Sequence, residues 1–359
     1  MSTNDLAPLS LTDSLTRARL PRQAPAIAAA VSVAAAVILG PLLLGSNWWA
    51  VVFLAAAFLL IGLTAWTGAI EGRRSARDRA FTLLVYYAIA AALVPLVWVL
   101  SYTVAKGLPA IDWSFITHDQ TTQLDPTTFK LLPGAGVLHA IIGTLLITAG
   151  ASVISIPIGL MAAVYLVEYA KGSMLARATT ILVDVMSGIP SIVAGLFALG
   201  LFTTFGGAGI RFGLMGSVAL SLLMIPTVVR SAEEMLRLVP VDLREASLAL
   251  GVPVWRTILK VVVPTAMGGI ITGIMLAIAR VIGETAPLLV AVGTSLYLNN
   301  NLFSGPMQTL PVYIMDQYSE GPNPLKLAWG AALVLIILVM IVNLTGRLLG
   351  RIFAPKTGR

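Results

Sequence analysis

Cysteine is absent from this 359-residue chain, so neither a disulfide nor a thiolate metal site can form. Histidine occurs only twice, at His118 and His139, and the two are not spaced as a metal-binding pair. No metal or cofactor is therefore expected. Charge is scarce, at 11% of residues. A Gly-x-x-x-x-Gly-Lys-Ser/Thr loop is missing, which excludes ATP hydrolysis by a phosphate-binding loop of the chain's own. There is also no Gly-x-Ser-x-Gly elbow, so a non-catalytic protein is expected rather than an enzyme. What is abundant is hydrocarbon. Hydrophobic residues make up 58% of the chain, and the mean hydropathy is +0.92. That combination describes a polytopic membrane protein, here read as an all-α helical bundle.

Windows nearly free of charge locate the spans, since a membrane helix needs about 20 apolar residues. They fall at about 26–44, 50–69, 80–105, 131–167, 180–204, 212–229, 265–295 and 327–346, which predicts eight helices. Only Asp184 interrupts the fifth, and only Arg280 and Glu284 the seventh. The first is too long for the core of a cleaved signal peptide and reads as a retained anchor. The polar first 22 residues read as a disordered cytoplasmic tail, and 23–75 as an accessory two-helix hairpin.

The net charge of +7 is distributed unevenly. With both termini placed in the cytoplasm, 18 of the 23 lysines and arginines fall inside: in the N-terminal tail, 71–79, 170–179, 230–260 and the C-terminal tail. Lys106, Lys130, Arg211 and Lys326 fall outside, and Arg280 lies within a span. The insertion bias favours this orientation and places the chain in the cytoplasmic membrane. The outer loops, 106–134 and 298–325, lie where a delivery protein would dock, although a plain solvated loop is the simpler reading.

Residues 240–264, VPVDLREASLALGVPVWRTILKVVVP from Val239 onward, form a polar, ordered-looking loop in an apolar chain. Asp242 is placed to cap a short helix, with Glu245 three residues on completing a capping box. Gly251 suits a left-handed helix end, and Pro253 stops the helix there. Glu245-Ala246-Ser247, three residues, Gly251, nine residues and Val261-x-Val263-Pro264 resemble the loop by which permeases of ATP-binding-cassette importers dock on their ATPase.

The resemblance extends along about residues 76–359. Gly143-Thr144 through Tyr165–Tyr169 is similar to the opening helix of such a permease core. Ser187-Gly188-Ile189-Pro190-Ser191 resembles a segment of phosphate permeases. Ala279-Arg280-Val281-Ile282-Gly283-Glu284-Thr285-Ala286-Pro287-Leu288-Leu289 and Met307-Gln308-Thr309-Leu310-Pro311-Val312-Tyr313 resemble the A-type permeases of Pst phosphate importers. The resemblance implies a type I permease core of six helices at 76–359, here with two extra N-terminal helices. It implies import of inorganic phosphate powered by ATP on another subunit. It also implies a coupling role for Asp242, Glu245, Ala246, Ser247 and Gly251. The implied partners are a PstC-like second permease subunit, two PstB-like ATPase subunits and a PstS-like extracytoplasmic phosphate-binding protein.

Arg280 lies about 15 residues into the seventh window, roughly 22 Å along a helix axis. A central Arg costs about 2.5–3.5 kcal/mol to insert, so it should face the bundle interior or an aqueous path. Glu284, four residues on, is expected on the same helical face. Either the two neutralise one another, or Arg280 offers its planar donors to a tetrahedral oxyanion while Glu284 competes for the guanidinium. Thr285 can add a hydroxyl. Ser187 and Ser191, around Gly188 and Pro190, form either a kinked, narrow passage or a close helix contact. Asp184 is read as an interfacial or capping carboxylate. Another oxyanion as substrate, or an autonomous secondary transporter, remain open on the residues alone.

Overall fold

The computed structural model describes residues 20–44, 47–121, 124–130, 136–170, 172–319 and 322–353. Most of the N-terminal tail, Lys171 and the residues after 353 therefore lie outside the described residues. Among the described residues, seven helices are long and apolar enough to cross a membrane. A bent pair supplies an eighth span if its halves are counted together. The eight expected windows thus each find a helical counterpart, but two of them are not single helices.

The chain divides into two compact units, Met1–Leu100 and Ser101–Arg359. The first contains α1 (Ala24–Leu44), α2 (Trp48–Ile70) and most of α3 (Arg73–Gly107). Its boundary lies 25 residues beyond the expected hairpin 23–75, because α3 begins immediately after α2. Gly40 lets α1 and α2 meet closely, since a Cβ there would stand 2.7 Å from Val51. Tyr87 ties α3 to α2 by donating to the Ala56 carbonyl at 2.8 Å. The outward faces remain apolar, as with Phe53, Val85 and Leu96, which suits lipid rather than water.

The second unit starts with α4 (Trp113–Thr117) and α5 (Leu138–Val164), which continues as a π turn, Tyr165–Tyr169. There follow α6 (Met174–Ser187), α7 (Ser191–Gly206), α8 (Gly213–Arg237), α9 (Val241–Ala249) and α10 (Val254–Thr257). A second π turn leads into α11 (Val263–Ile282), and α12 (Ala286–Ala291), α13 (Leu310–Ser319) and α14 (Pro322–Phe353) complete the chain. The expected outer loops thus contain the short helices α4 and α13.

The core is an α5–α8 seam joined by α11 and α12, with Ile147, Met215, Leu220, Met224, Val281 and Leu288 buried in it. Small residues set the spacing. A Cβ at Gly159 would meet Val228 at 2.7 Å, and one at Gly150 would meet the Ser217 hydroxyl at 2.5 Å. Ser217 also donates to the Ile147 carbonyl at 2.9 Å. Close backbone approach and interhelical hydroxyl bonds are how helices associate where lipid supplies no hydrophobic drive.

The fifth window is not one straight helix: α6 and α7 meet at a bend of 106°. Gly188 caps α6 and Pro190 precedes α7. Proline supplies no N–H to continue the ladder, so the helix breaks there. The seventh window also ends early. Gly283 caps α11, and α12 restarts at Ala286.

Candidate functional site

The bend, the middle of α8 and the end of α11 enclose a cavity of about 460 Å³. Ser187 and Ser191 come from the two sides of the bend. Thr227, Arg230, Ser231 and Glu234 come from α8, and Arg280 and Glu284 from the α11 terminus. Four of the expected pathway residues are therefore brought together although they span nearly a hundred positions. Thr285 is not in this wall. It precedes α12, where its carbonyl accepts the Leu289 amide at 3.0 Å.

Arg280 and Glu284 differ from expectation in one respect. They do not share a helical face, because α11 ends at Ile282 and Glu284 lies beyond the Gly283 cap. The Glu284 amide donates to the Val281 carbonyl at 3.2 Å, which turns the chain away from the helix axis. Among the described residues Arg280 forms no ion pair, with Glu284 or with any other carboxylate. Its exposed guanidinium faces a cavity with hydroxyl-bearing walls. Ser187 is less available than its position suggests. Its hydroxyl donates to the Val183 carbonyl at 2.9 Å, so it offers an anion no proton unless that bond opens.

Sequence reasoning missed the second arginine in the cavity. Arg230 pairs with Asp184 of α6 and with Glu233 at 3.0 Å. Asp184 lies inside α6 and caps no helix end; it is part of a cross-helix pair. Glu233, whose side chain is 8% exposed, also accepts from Arg237 at 2.6 Å. The available signal was a lone acid in the fifth window, Asp184, and a base, Arg230, directly after the end of the sixth.

The second candidate element is the elbow α9–α10. Gly251 has φ +77, the left-handed conformation expected at the end of α9. Its amide donates to Leu248 at 2.9 Å, and Val252 donates back to Ser247 at 3.3 Å. The start of α9 corrects the capping expectation. Pro240 is the N-cap, and Asp242 sits in the first turn without capping it. No capping box with Glu245 forms, because with Pro240 as N-cap the third helical residue is Leu243 and Glu245 lies two positions further on. Asp242 instead places its charge near the positive end of the helix dipole.

Ser247 is buried, and its hydroxyl pairs with that of Thr257 at 2.9 Å, closing α9 onto α10. Glu245 and Ala246 face outward and are exposed, as are Leu243, Leu248 and Leu250. The elbow therefore presents a free, partly apolar surface. Its attachment was not read from the sequence. Arg244 donates to Glu168 at 2.8 Å and to the carbonyls of Val239 at 2.6 Å and Leu236 at 2.9 Å. That joins the elbow to the ends of both α5 and α8.

A bundle of broken and unbroken membrane helices, with an elbow projecting from one end, defines a membrane permease component. The family model of the binding-protein-dependent transport system inner membrane component matches residues 155–359. The chain belongs to that family. It is 47% identical over 283 residues to phosphate transport system permease protein PstA 1 of Mycobacterium tuberculosis H37Rv, covering 77% of this chain and 88% of that one. Against the PstA of Yersinia pestis it is 39% identical over 266 residues, covering 73% and 84%. Among solved structures, a bacterial alginate importer bound to its periplasmic protein superposes with a TM-score of 0.54 at 14% identity, covering 79% and 97%. The MetNI methionine transporter superposes with 0.51 at 22% identity, covering 61% and 96%. Both are similar in fold.

Proposed function

We propose that this chain is a permease subunit of an ATP-driven importer of inorganic phosphate, a multi-pass protein of the cytoplasmic membrane. It forms half of the translocation path and hydrolyses no ATP itself. Its partners in this reading are a PstC-like permease, two PstB-like ATPases and a PstS-like binding protein. The relatives named as phosphate permeases support the substrate. The basic residues support cytoplasmic termini, which bring the α9–α10 elbow to the ATPase side. Residues 23–75 serve as an accessory hairpin and 76–359 as the permease domain.

The observation that carries the reading is Arg280, an unpaired guanidinium on the wall of a hydroxyl-lined cavity. Its planar fork matches phosphate oxygens, and the nearby Glu284 carboxylate opposes permanent capture of an anion. Import works against an interior-negative potential, at about 2.3 kcal/mol per charge per 100 mV, so energy coupling is required. Asp242, Glu245, Ala246, Ser247 and Gly251 shape the elbow through which ATP turnover acts.

The test is phosphate uptake into vesicles containing all four kinds of subunit. A charge-assisted hydrogen bond is worth about 1.5–3 kcal/mol, so Arg280→Ala should slow uptake roughly 10- to 100-fold. Arg280→Lys should retain an intermediate rate. Wild-type rates for both variants would remove Arg280 from the path. Inhibition of uptake by excess sulfate as strong as by phosphate would assign another oxyanion. Uptake without the ATPase would make the protein a secondary transporter.

A further inference from the structure

A second basic cavity, also about 460 Å³, lies apart from the first, between the start of α11 and the end of α14. Its walls are Thr265, Gly268, Gly269, Thr272, Arg347, Gly350 and Arg351. No acidic side chain lines it, and among the described residues neither arginine forms an ion pair. Glycine brings the two helices close here. A Cβ at Gly346 would meet Met275 at 2.3 Å, and one at Gly350 would stand 3.3 Å from the Gly268 carbonyl. The result is a crevice with a backbone floor and two guanidinium groups, one helical turn apart, at its rim. Thr265 and Thr272 donate their hydroxyl protons to carbonyls of their own helix, at 2.6 and 2.9 Å. The arginines are therefore the donors the crevice offers.

We propose that this crevice holds the phosphate of an anionic phospholipid headgroup. Two features favour lipid over free phosphate. The arginines lie at the end of an apolar span, Leu325–Ile352, where a headgroup layer would be. Beside them, Met340, Leu344, Leu348 and Ile352 form an exposed apolar stripe at four-residue spacing, 51–73% exposed, along which an acyl chain can lie. A basic recess between membrane helices flanked by such a stripe matches both parts of an acidic lipid.

The experiment uses the full chain in detergent, with retention of added phosphatidylglycerol measured by native mass spectrometry and phosphatidylcholine as reference. Phosphatidylglycerol should be retained in preference, and Arg347→Gln/Arg351→Gln should weaken it roughly twentyfold. Arg347→Lys/Arg351→Lys, which keeps both charges, should retain most of the binding. Equal retention by the Gln variant overturns the proposal, as does equal loss in the Lys variant. Displacement of the lipid by millimolar inorganic phosphate also overturns it, by marking a free-anion site. Because the readout is lipid binding, the result is independent of the transport reading.

Discussion

Arg244 distributes one guanidinium over a carboxylate and two helix-end carbonyls, with its side chain 17% exposed and that of Glu168 10% exposed. Removing one partner of a largely buried pair costs about 3–5 kcal/mol when the other charge is stranded. Arg244→Ala should therefore lower the thermal midpoint of the purified protein and reduce its co-purification with an ATPase. Glu168→Gln should cost less, because Arg244 keeps both carbonyls, and the ordering of the two midpoints tests this. Asp316 gives a pH-dependent case. It accepts from Gln308 at 2.7 Å, which in turn bonds buried His139 at 2.9 Å. Burial is the main influence and pushes its carboxyl above the ordinary value, with the Gln308 bond opposing. A carboxyl raised in the fold contributes stability that is full below its unfolded pKa, about 3.9, and is lost as pH rises through the folded value. Asp316→Asn should accordingly raise the thermal midpoint at pH 7.5, and the gain should shrink towards pH 4. A gain that is flat with pH would contradict the assignment.

Among the helices and turns, Gly251 separates backbone cost from packing cost, since a Cβ there would meet nothing within 4 Å. Its φ of +77 still penalises an L side chain by roughly 1–2 kcal/mol. Gly251→Val should loosen the elbow and weaken ATPase co-purification, while Gly251→Asn, which tolerates this conformation, should be milder. Equal behaviour of the two would mean that the left-handed turn does not matter. Gly195 is the opposite case: its Cβ would lie 2.6 Å from the Pro287 carbonyl oxygen. These elements also show where the sequence was readable. Gly251 and Pro253 act on their own backbone, so the elbow could be predicted from local residues. Its start could not be read as easily, because Asp242 and Glu245 have the right spacing for a capping box but the helix begins two residues earlier, with Pro240 as N-cap. The Gly188–Pro190 break was visible as a kink, but a run of apolar residues carries no information about its angle.

The three buried clusters that define the core all lie in the second unit, within Ser101–Arg359. The match to the family model, 155–359, lies there as well. A chain beginning at Arg73 should therefore still fold, co-purify with its partners and support phosphate uptake. Loss of uptake with folding intact would give the hairpin a role in transport. At this scale the span count and the elbow were legible, because each follows from about 20 consecutive residues or fewer. The cavity was legible only in part. Arg280, Glu284, Ser187 and Ser191 stand out as polar groups in apolar windows. The pairing of Arg230 with Asp184 joins positions 46 apart and needs the three-dimensional packing to be seen.

Gly150 and Gly159 lock α5 against α8 like the teeth of a closed zip, and Gly216 of α8 does the same against Val292 and Leu288, each with less room than one methyl group needs. Slippage along that seam would drive Val228 or Ser217 into main chain that cannot yield. We therefore expect α5 and α8 to move together as one stiff beam. In the transport reading, alternation of access between the two faces of the membrane would then pivot at joints around that beam, with the 106° break between α6 and α7 as the candidate joint.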